Sequence, residues 1–162
     1  NPQKSKKGVY SIKDNTIAFW FKNVYGKQAP PTEEELNEFV SRRFEMFCKD
    51  FLAEYLKGKG ESVVRTGRWW GQAEVKPNKF EEREIDVIVE TKNCIFVGEC
   101  KWTNKKIRFT EVEHLEESSR ALKTKKSIKK VLFSKQGFEF KEAADIMLFD
   151  PERLETEINK LP

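Results

Sequence analysis

Two short apolar runs either side of a polar turn constrain this chain more than any other feature: Ile85-Asp86-Val87-Ile88-Val89-Glu90, then Thr91-Lys92-Asn93, then Cys94-Ile95-Phe96-Val97-Gly98-Glu99-Cys100-Lys101-Trp102. β-Branched and aromatic residues flanking a polar turn predict a β-hairpin. Both runs are apolar at successive positions, as in strands covered by helices on both faces. With Lys92 and Asn93 as the central turn residues, Asp86 falls opposite Glu99. Alternation then puts Glu99 and Lys101 on one face with Asp86, Ile88, Ile95 and Val97, and puts Val87, Val89, Phe96 and Cys100 on the other.

Directly opposed strand residues stand about 5 Å apart at Cβ, and like charges so placed destabilise a hairpin unless something compensates. A divalent cation compensates. Mg²⁺ takes hard oxygen ligands, commonly one or two carboxylates, and leaves its other positions to water and substrate phosphate. Lys101, projecting the same way, would orient an attacking water or neutralise charge on a phosphate. The plainer alternative is a surface ion-pair cluster at the end of an exposed hairpin, which fits the spacing equally well. The apolar character of both strand faces weighs against it.

The rest of the chain surrounds this hairpin with helices and strands. Residues 9–12 predict a short strand, and Asp14 is placed to cap a helix over 15–25 whose face of Ile17, Trp20, Phe21 and Val24 needs a partner surface. A Pro-containing linker follows. Thr32-Glu33-Glu34-Glu35 matches a capping box and opens a long helix to about Lys57, with Gly58 and Gly60 as its stop. Residues 62–66 predict a strand, Gly67-Arg68-Trp69-Trp70-Gly71 a turn, and 72–83 an irregular polar stretch. Thr110-Glu111-Val112-Glu113 matches a second capping box for a polar helix to about Lys126, with Val112, Leu115 and Leu122 as its apolar stripe. A strand over 130–134, a Gly137 turn, a short helix, a strand over 146–149 and a final helix opened by Asp150-Pro151 complete the order. The expected class is α/β, a mixed central sheet with helices on both faces.

Composition narrows the function classes. The chain has 162 residues, 36% of them charged and 38% hydrophobic, with a mean hydropathy of −0.72. One domain plus an appendage is expected from that length. No apolar run approaches the roughly eighteen residues of a spanning helix. The start, Asn1-Pro2-Gln3-Lys4, has neither an initiator Met nor a signal-like stretch, so the chain reads as part of something longer, with a cytoplasmic location. Cys48, Cys94 and Cys100 form no CxxC pair, and neither a disulfide nor a zinc site is expected. The excess of 31 basic over 27 acidic residues permits nucleic-acid binding without demonstrating it.

Asp86, followed by Glu99-Cys100-Lys101 after a strand ending in Val97-Gly98, resembles the signature of the PD-(D/E)xK nuclease superfamily, with Ile85 where that name has Pro. More narrowly, Gly67-Arg68-Trp69-Trp70-Gly71, Glu84-Ile85-Asp86 and Gly98-Glu99-Cys100-Lys101-Trp102 resemble the C-terminal domain of archaeal P-loop ATPases. Tyr10-Ser11-Ile12-Lys13-Asp14 and Phe19-Trp20-Phe21 are similar to the segment that leaves a winged-helix domain in that family. The resemblance implies a restriction-endonuclease-like fold and a Mg²⁺- or Mn²⁺-dependent deoxyribonuclease. In it Asp86 and Glu99 hold the ion, the Cys100 main-chain carbonyl joins them, and Lys101 serves the water. Residues 1–31 become the tail of a winged-helix region and a linker, and 32–162 the nuclease-like domain. DNA and the ATPase and winged-helix domains of the same longer polypeptide are the implied partners, without membrane contact; a homo-oligomer is compatible with the sequence. The second reading keeps the same fold as a weak or silent DNA-docking or regulatory module.

An acidic residue on the first core helix often joins this set in the superfamily, and Glu45 is the matching position. It also sits beside Cys48, Leu52 and Leu56 on the helical wheel, at the edge of the buried arc where an unpaired charge is costly; a side chain turned to solvent explains it equally well. Arg68, Trp69 and Trp70 either pack a loop and brace the site or contact a phosphate and stack on bases. His114 reads as a surface residue, and Cys100 faces away from the proposed site, so nucleophilic catalysis is disfavoured. The lysines at 123, 125, 126, 129 and 130, with Lys105, Lys106 and Arg108, form the densest basic region, either a phosphate contact or a solvated helix end. The 57–62 segment lacks P-loop spacing, and ATP hydrolysis is not expected of it.

Overall fold

A computed structural model of the protein describes residues 12–161. The chain falls into two compact units, one running to Arg43 and one from Phe44. The first holds α1 (Asn15–Asn23) and the start of α2 (Glu33–Gly58). Asp14 caps α1 as its position predicts, accepting from the Ile17 amide at 2.8 Å. The capping box closes in both directions. The Thr32 amide donates to Glu35 Oε2 at 2.8 Å, and the Glu35 amide donates to Thr32 Oγ1 at 3.2 Å. Within this unit Phe19 meets Phe39 edge-on with ring centroids 5.4 Å apart. The expected apolar face of Ile17, Trp20, Phe21 and Val24 is exposed. The strand expected over 9–12 lies almost wholly outside the described residues, and Ile12 itself is not in a strand.

The second unit is a five-stranded mixed sheet in the order β1 (Val63–Lys76), β2 (Lys79–Thr91), β3 (Cys94–Lys101), β4 (Ser127–Ser134) and β5 (Ile146–Phe149). β1, β2 and β3 form an antiparallel meander, and β4 and β5 continue parallel to β3. Both faces are covered. Cys48, Phe51, Leu52, Tyr55 and Leu56 of α2 and Leu154 of α4 (Pro151–Ile158) pack on Val87, Val89, Phe96, Val131, Phe133 and Phe149. On the opposite face α3 (Phe109–Arg120) brings Leu115 onto Ile85, Ile95 and Val97, and Val112 onto Leu132 and Leu148. Adjacent residues Val131 and Leu132 enter different clusters, so a strand can be apolar at every position.

The central hairpin has the register that its turn dictates: Val87 pairs with Gly98, Ile88 with Val97, Val89 with Phe96 and Glu90 with Ile95. Thr91, fully buried, holds the turn by accepting from the Cys94 amide at 3.2 Å.

Five local expectations are corrected. Gly67-Arg68-Trp69-Trp70-Gly71 is not a turn but the middle of β1, because every one of these residues but Arg68 has a partner on β2. Residues 72–83 are not irregular. They form a long two-stranded ribbon that turns at Pro77 and Asn78, where the Asn78 amide donates to Glu74 Oε1 at 2.9 Å. Only Ala73 and Val75 of its β1 half are buried, so its sequence lacks an apolar stripe. The second capping box does not form. α3 starts at Phe109, its cap residue Arg108 makes no side-chain capping hydrogen bond, and Thr110 lies inside the first turn, because Phe109 packs on Phe140 and Glu111 pairs with Lys101. The same helix ends at Arg120 rather than near 126, since Lys123 takes a left-handed φ of 46° that a helix cannot accommodate. The helix expected after Gly137 is likewise absent. That segment runs alongside Ile107, with the Glu139 amide donating to the Ile107 carbonyl at 2.9 Å, and Phe138 and Phe140 pack on the Val112–Leu132 cluster.

Gly98 sits where three strands are tightest. A Cβ there would lie 3.1 Å from Val87 Cβ and 3.2 Å from the Val131 carbonyl oxygen. Gly98→Ala is therefore expected to lower stability by about 1–3 kcal/mol, read as a lower urea midpoint. Gly67→Ala, where a Cβ meets nothing within 4 Å, should change it by about 0.5 kcal/mol or less.

Candidate metal centre

The site grows out of an irregularity in β2. Gly67 pairs with Ile88 but Trp69 pairs with Ile85, so Asp86 and Val87 together oppose the single residue Arg68. This is a β-bulge, which bends a strand and re-aims a side chain. Its effect is visible on both sides. Ile85 and Ile88, three apart, both join the cluster under α3, while Val87 enters the core under α2. Asp86 turns across the hairpin and accepts from the Cys100 amide at 2.9 Å through Oδ2. The β2–β3 backbone ladder stops at Val87 and Gly98, so a carboxylate takes over one more donor of β3.

Glu99 and Lys101 flank that amide. Lys101 Nζ stands 2.7 Å from Glu99 Oε1 and 3.2 Å from Glu111 Oε2 on the first turn of α3. Burial raises the Asp86 carboxyl above its ordinary value; the Cys100 amide opposes this, Glu84 adds to it, and Lys101 and Arg68 oppose it. Burial and then the neighbouring Asp86 charge push Glu99 up to about 7, against the pull of Lys101. Lys101 is held above its ordinary range: burial works against the ammonium, but Glu99 and Glu111 outweigh it. The two acids thus repel one another in a setting that disfavours their charge, and the lysine stays cationic.

Cys100 points away, as alternation predicts. Its thiol is buried and meets Cys48 of α2, and burial pushes its ionisation well above the usual thiol range. Glu45 is half-buried on α2, one turn before Cys48 and so on the helix face that meets β3 at Cys100. Among the described residues no three His, Cys, Asp or Glu side chains form a ready-made cage; the arrangement is a carboxylate pair with a lysine. Trp69 packs with Ile85, whereas Trp70 is 63% exposed with the Arg68 guanidinium 5.1 Å from its ring. Only one Trp therefore packs, and Arg68 acts on Asp86 through its charge.

A cleft of about 210 Å³ opens beside the site, with Glu84, Glu99, Lys101, Glu111, His114 and Ser118 among its lining. Glu84 and Glu111 were not legible as site residues. Glu84 is one of several acids along the ribbon, and Glu111 reaches Lys101 only because the β3-to-β4 crossover lays α3 over the hairpin. His114 is exposed, as expected, but lines this cleft.

Comparison with known proteins supplies a family. An uncharacterized protein of Methanocaldococcus jannaschii, MJECL04, is 32% identical over 165 residues, which span 92% of this chain and 35% of that relative. The crystal structure of protein VC1899 from Vibrio cholerae superposes with a TM-score of 0.50 at 17% identity, over 82% of this chain and 36% of that one, a likeness of fold alone. The chain thus spans about a third of the length of each. Residues 22–120 match the family DUF234, described as archaea bacterial proteins of unknown function, and this chain belongs to that family.

Proposed function

We propose that the second unit is a metal-dependent nuclease domain that hydrolyses DNA phosphodiesters. The observation that carries this reading is the pairing of Asp86 and Glu99, two part-buried carboxylates raised by burial, with Lys101 bonded to Glu99. Two repelling acids of this kind fit a hard divalent cation, Mg²⁺ or Mn²⁺, which would relieve their repulsion. Asp86 and Glu99 would hold it, with the Cys100 main-chain carbonyl and Glu45 as further ligands. Bound there, such an ion polarises the phosphoryl group, lowers the pKa of an attacking water and stabilises the leaving oxygen.

The chain's own groups do the rest. Lys101 remains charged, so it acts as a cation that orients water or offsets phosphate charge, not as a proton acceptor. Glu111 gives its ammonium a second anchor, which would remain if Glu99 held an ion. The Cys100 amide fixes Asp86, and Arg68 helps keep it ionised. Placement in a restriction-endonuclease-like fold, in the cytoplasm, at the end of a longer ATPase with residues 1–31 as the winged-helix tail and linker, belongs to the same proposal. Among the described residues no helix is long and apolar enough to cross a membrane.

Supercoiled plasmid and single-stranded DNA, incubated with Mg²⁺ or Mn²⁺, should be cut by the natural protein, and at least about 10²-fold more slowly by Asp86→Ala and Lys101→Ala. Equal cutting by all three would trace the activity to a contaminant and sink the enzyme reading. Binding without cutting by any of them would select the docking module.

The acid pair also makes a stability prediction. A carboxyl raised on folding favours the folded state below its unfolded pKa, and that contribution disappears as pH rises through the folded value. In metal-free buffer the natural protein should therefore lose stability between about pH 4.5 and 7. Glu99→Gln should escape most of this loss, gaining on the order of 3 kcal/mol at pH 8 over its difference at pH 4. Mg²⁺ at about a hundred times its Kd should restore roughly 2.7 kcal/mol to the natural protein and little to the variant. Superimposable pH profiles from thermal melts, or no response to metal, would contradict it.

A further inference from the structure

A larger cleft, of about 660 Å³, lies at the far end of the β1–β2 ribbon. Its lining includes Gln72, Glu74, Lys76 and Phe80 of the ribbon, Arg120 at the end of α3, and Lys123 just beyond it. That lining holds three cations, Lys76, Arg120 and Lys123, against the one acid Glu74, which accepts from the Asn78 amide at 2.9 Å, and Arg120 also pairs with Glu116 of α3 at 3.5 Å. Phe80 is 60% exposed, unlike the buried Ala73 and Val75 of the same ribbon, so its ring is left largely unpacked. Lys123 stands on the rim in a left-handed backbone conformation, φ 46°, which is unfavourable for a residue with a side chain.

Two elements connect this cleft to the carboxylate pair. α3 lines the smaller cleft with His114 and Ser118 and the larger one with Arg120; six residues of helix, His114 to Arg120, span about 9 Å. β2 lines them with Arg83 and Phe80 respectively, about 10 Å apart along a strand. One short polynucleotide strand would run across both.

We propose that this cleft binds single-stranded DNA next to the phosphate held at Asp86 and Glu99, with Lys76, Arg120 and Lys123 on its phosphates and Phe80 stacked on an unpaired base. The inference rests on the nuclease reading for its substrate class. A cationic groove with an exposed ring suits a single strand, because a base inside a duplex has no free face to stack.

The test measures binding of fluorescein-labelled oligothymidylate in EDTA, so that nothing is cut, and then repeats the plasmid and single-strand cleavage assay with the same proteins. The substituted cleft side chains, Phe80, Arg120 and Lys123, are exposed, and melting curves of these variants should match the natural protein. Arg120→Gln/Lys123→Gln is expected to bind about ten-fold or more weakly, with the slope of log affinity against log salt reduced by about 1.4, or about 0.7 per lost phosphate contact. Phe80→Ala should bind roughly ten-fold more weakly with its salt slope unchanged. Blunt duplex should compete poorly.

Unchanged affinity in both cleft variants, absent binding by the natural protein, or equal losses on duplex and single strand would each overturn the assignment. Cleft-dependent binding without any cleavage would uphold it while removing the nuclease reading. Cleavage with unimpaired binding by the cleft variants would do the reverse.

Discussion

Everything placed near Asp86 depends on how β3 is held between its neighbours. It pairs antiparallel with β2 on one side and parallel with β4 on the other, and Gly98 lets the backbones approach where a methyl group would strike Val87 and Val131. The next three residues inherit that position. Glu99 and Lys101 face α3, and Cys100 faces α2. Apolar layers on both sides then fix the sheet between helices, so a slip of one residue would drive Glu99 and Lys101 into the core under α2. A register protected by that penalty keeps a site in place without a dedicated scaffold of its own.

The same burial that fixes the register sets the chemistry. Two acids in a partly dry setting resist ionisation, and their repulsion is a local cost that the surrounding core absorbs. Lys101 offsets part of it, but it is shared with Glu111, so the acid pair is left short of positive charge. Such a shortfall is what separates a binding centre from a closed salt-bridge cluster, in which each charge is matched.

Much of this was legible in the sequence, and the missing parts have physical causes. The hairpin, its register and the opposite facing of Glu99 and Cys100 follow from turn chemistry and strand parity, which are local. So do the caps of α1, α2 and α4 at Asp14, Thr32 and Asp150. The ribbon was missed because its inward positions are held by Gly71, Ala73 and Val75 on β1 and by Glu81 and Arg83 on β2, residues too small or too polar to mark a strand. Glu111, Glu84 and the ends of α3 depend on which elements the crossover brings together, information that no window of sequence contains. Glu45 was placed on its helix face correctly, but what its carboxylate does is set by neighbours distant along the chain.

The bulge at Asp86 also bears on how such a chain would change over time. Two residues stand there against one, so deleting a single residue would restore regular pairing between β1 and β2 and improve the sheet. The extra residue is the one whose carboxylate reaches β3. Loss of that carboxylate and return of the strand to regular pairing would therefore be a single event.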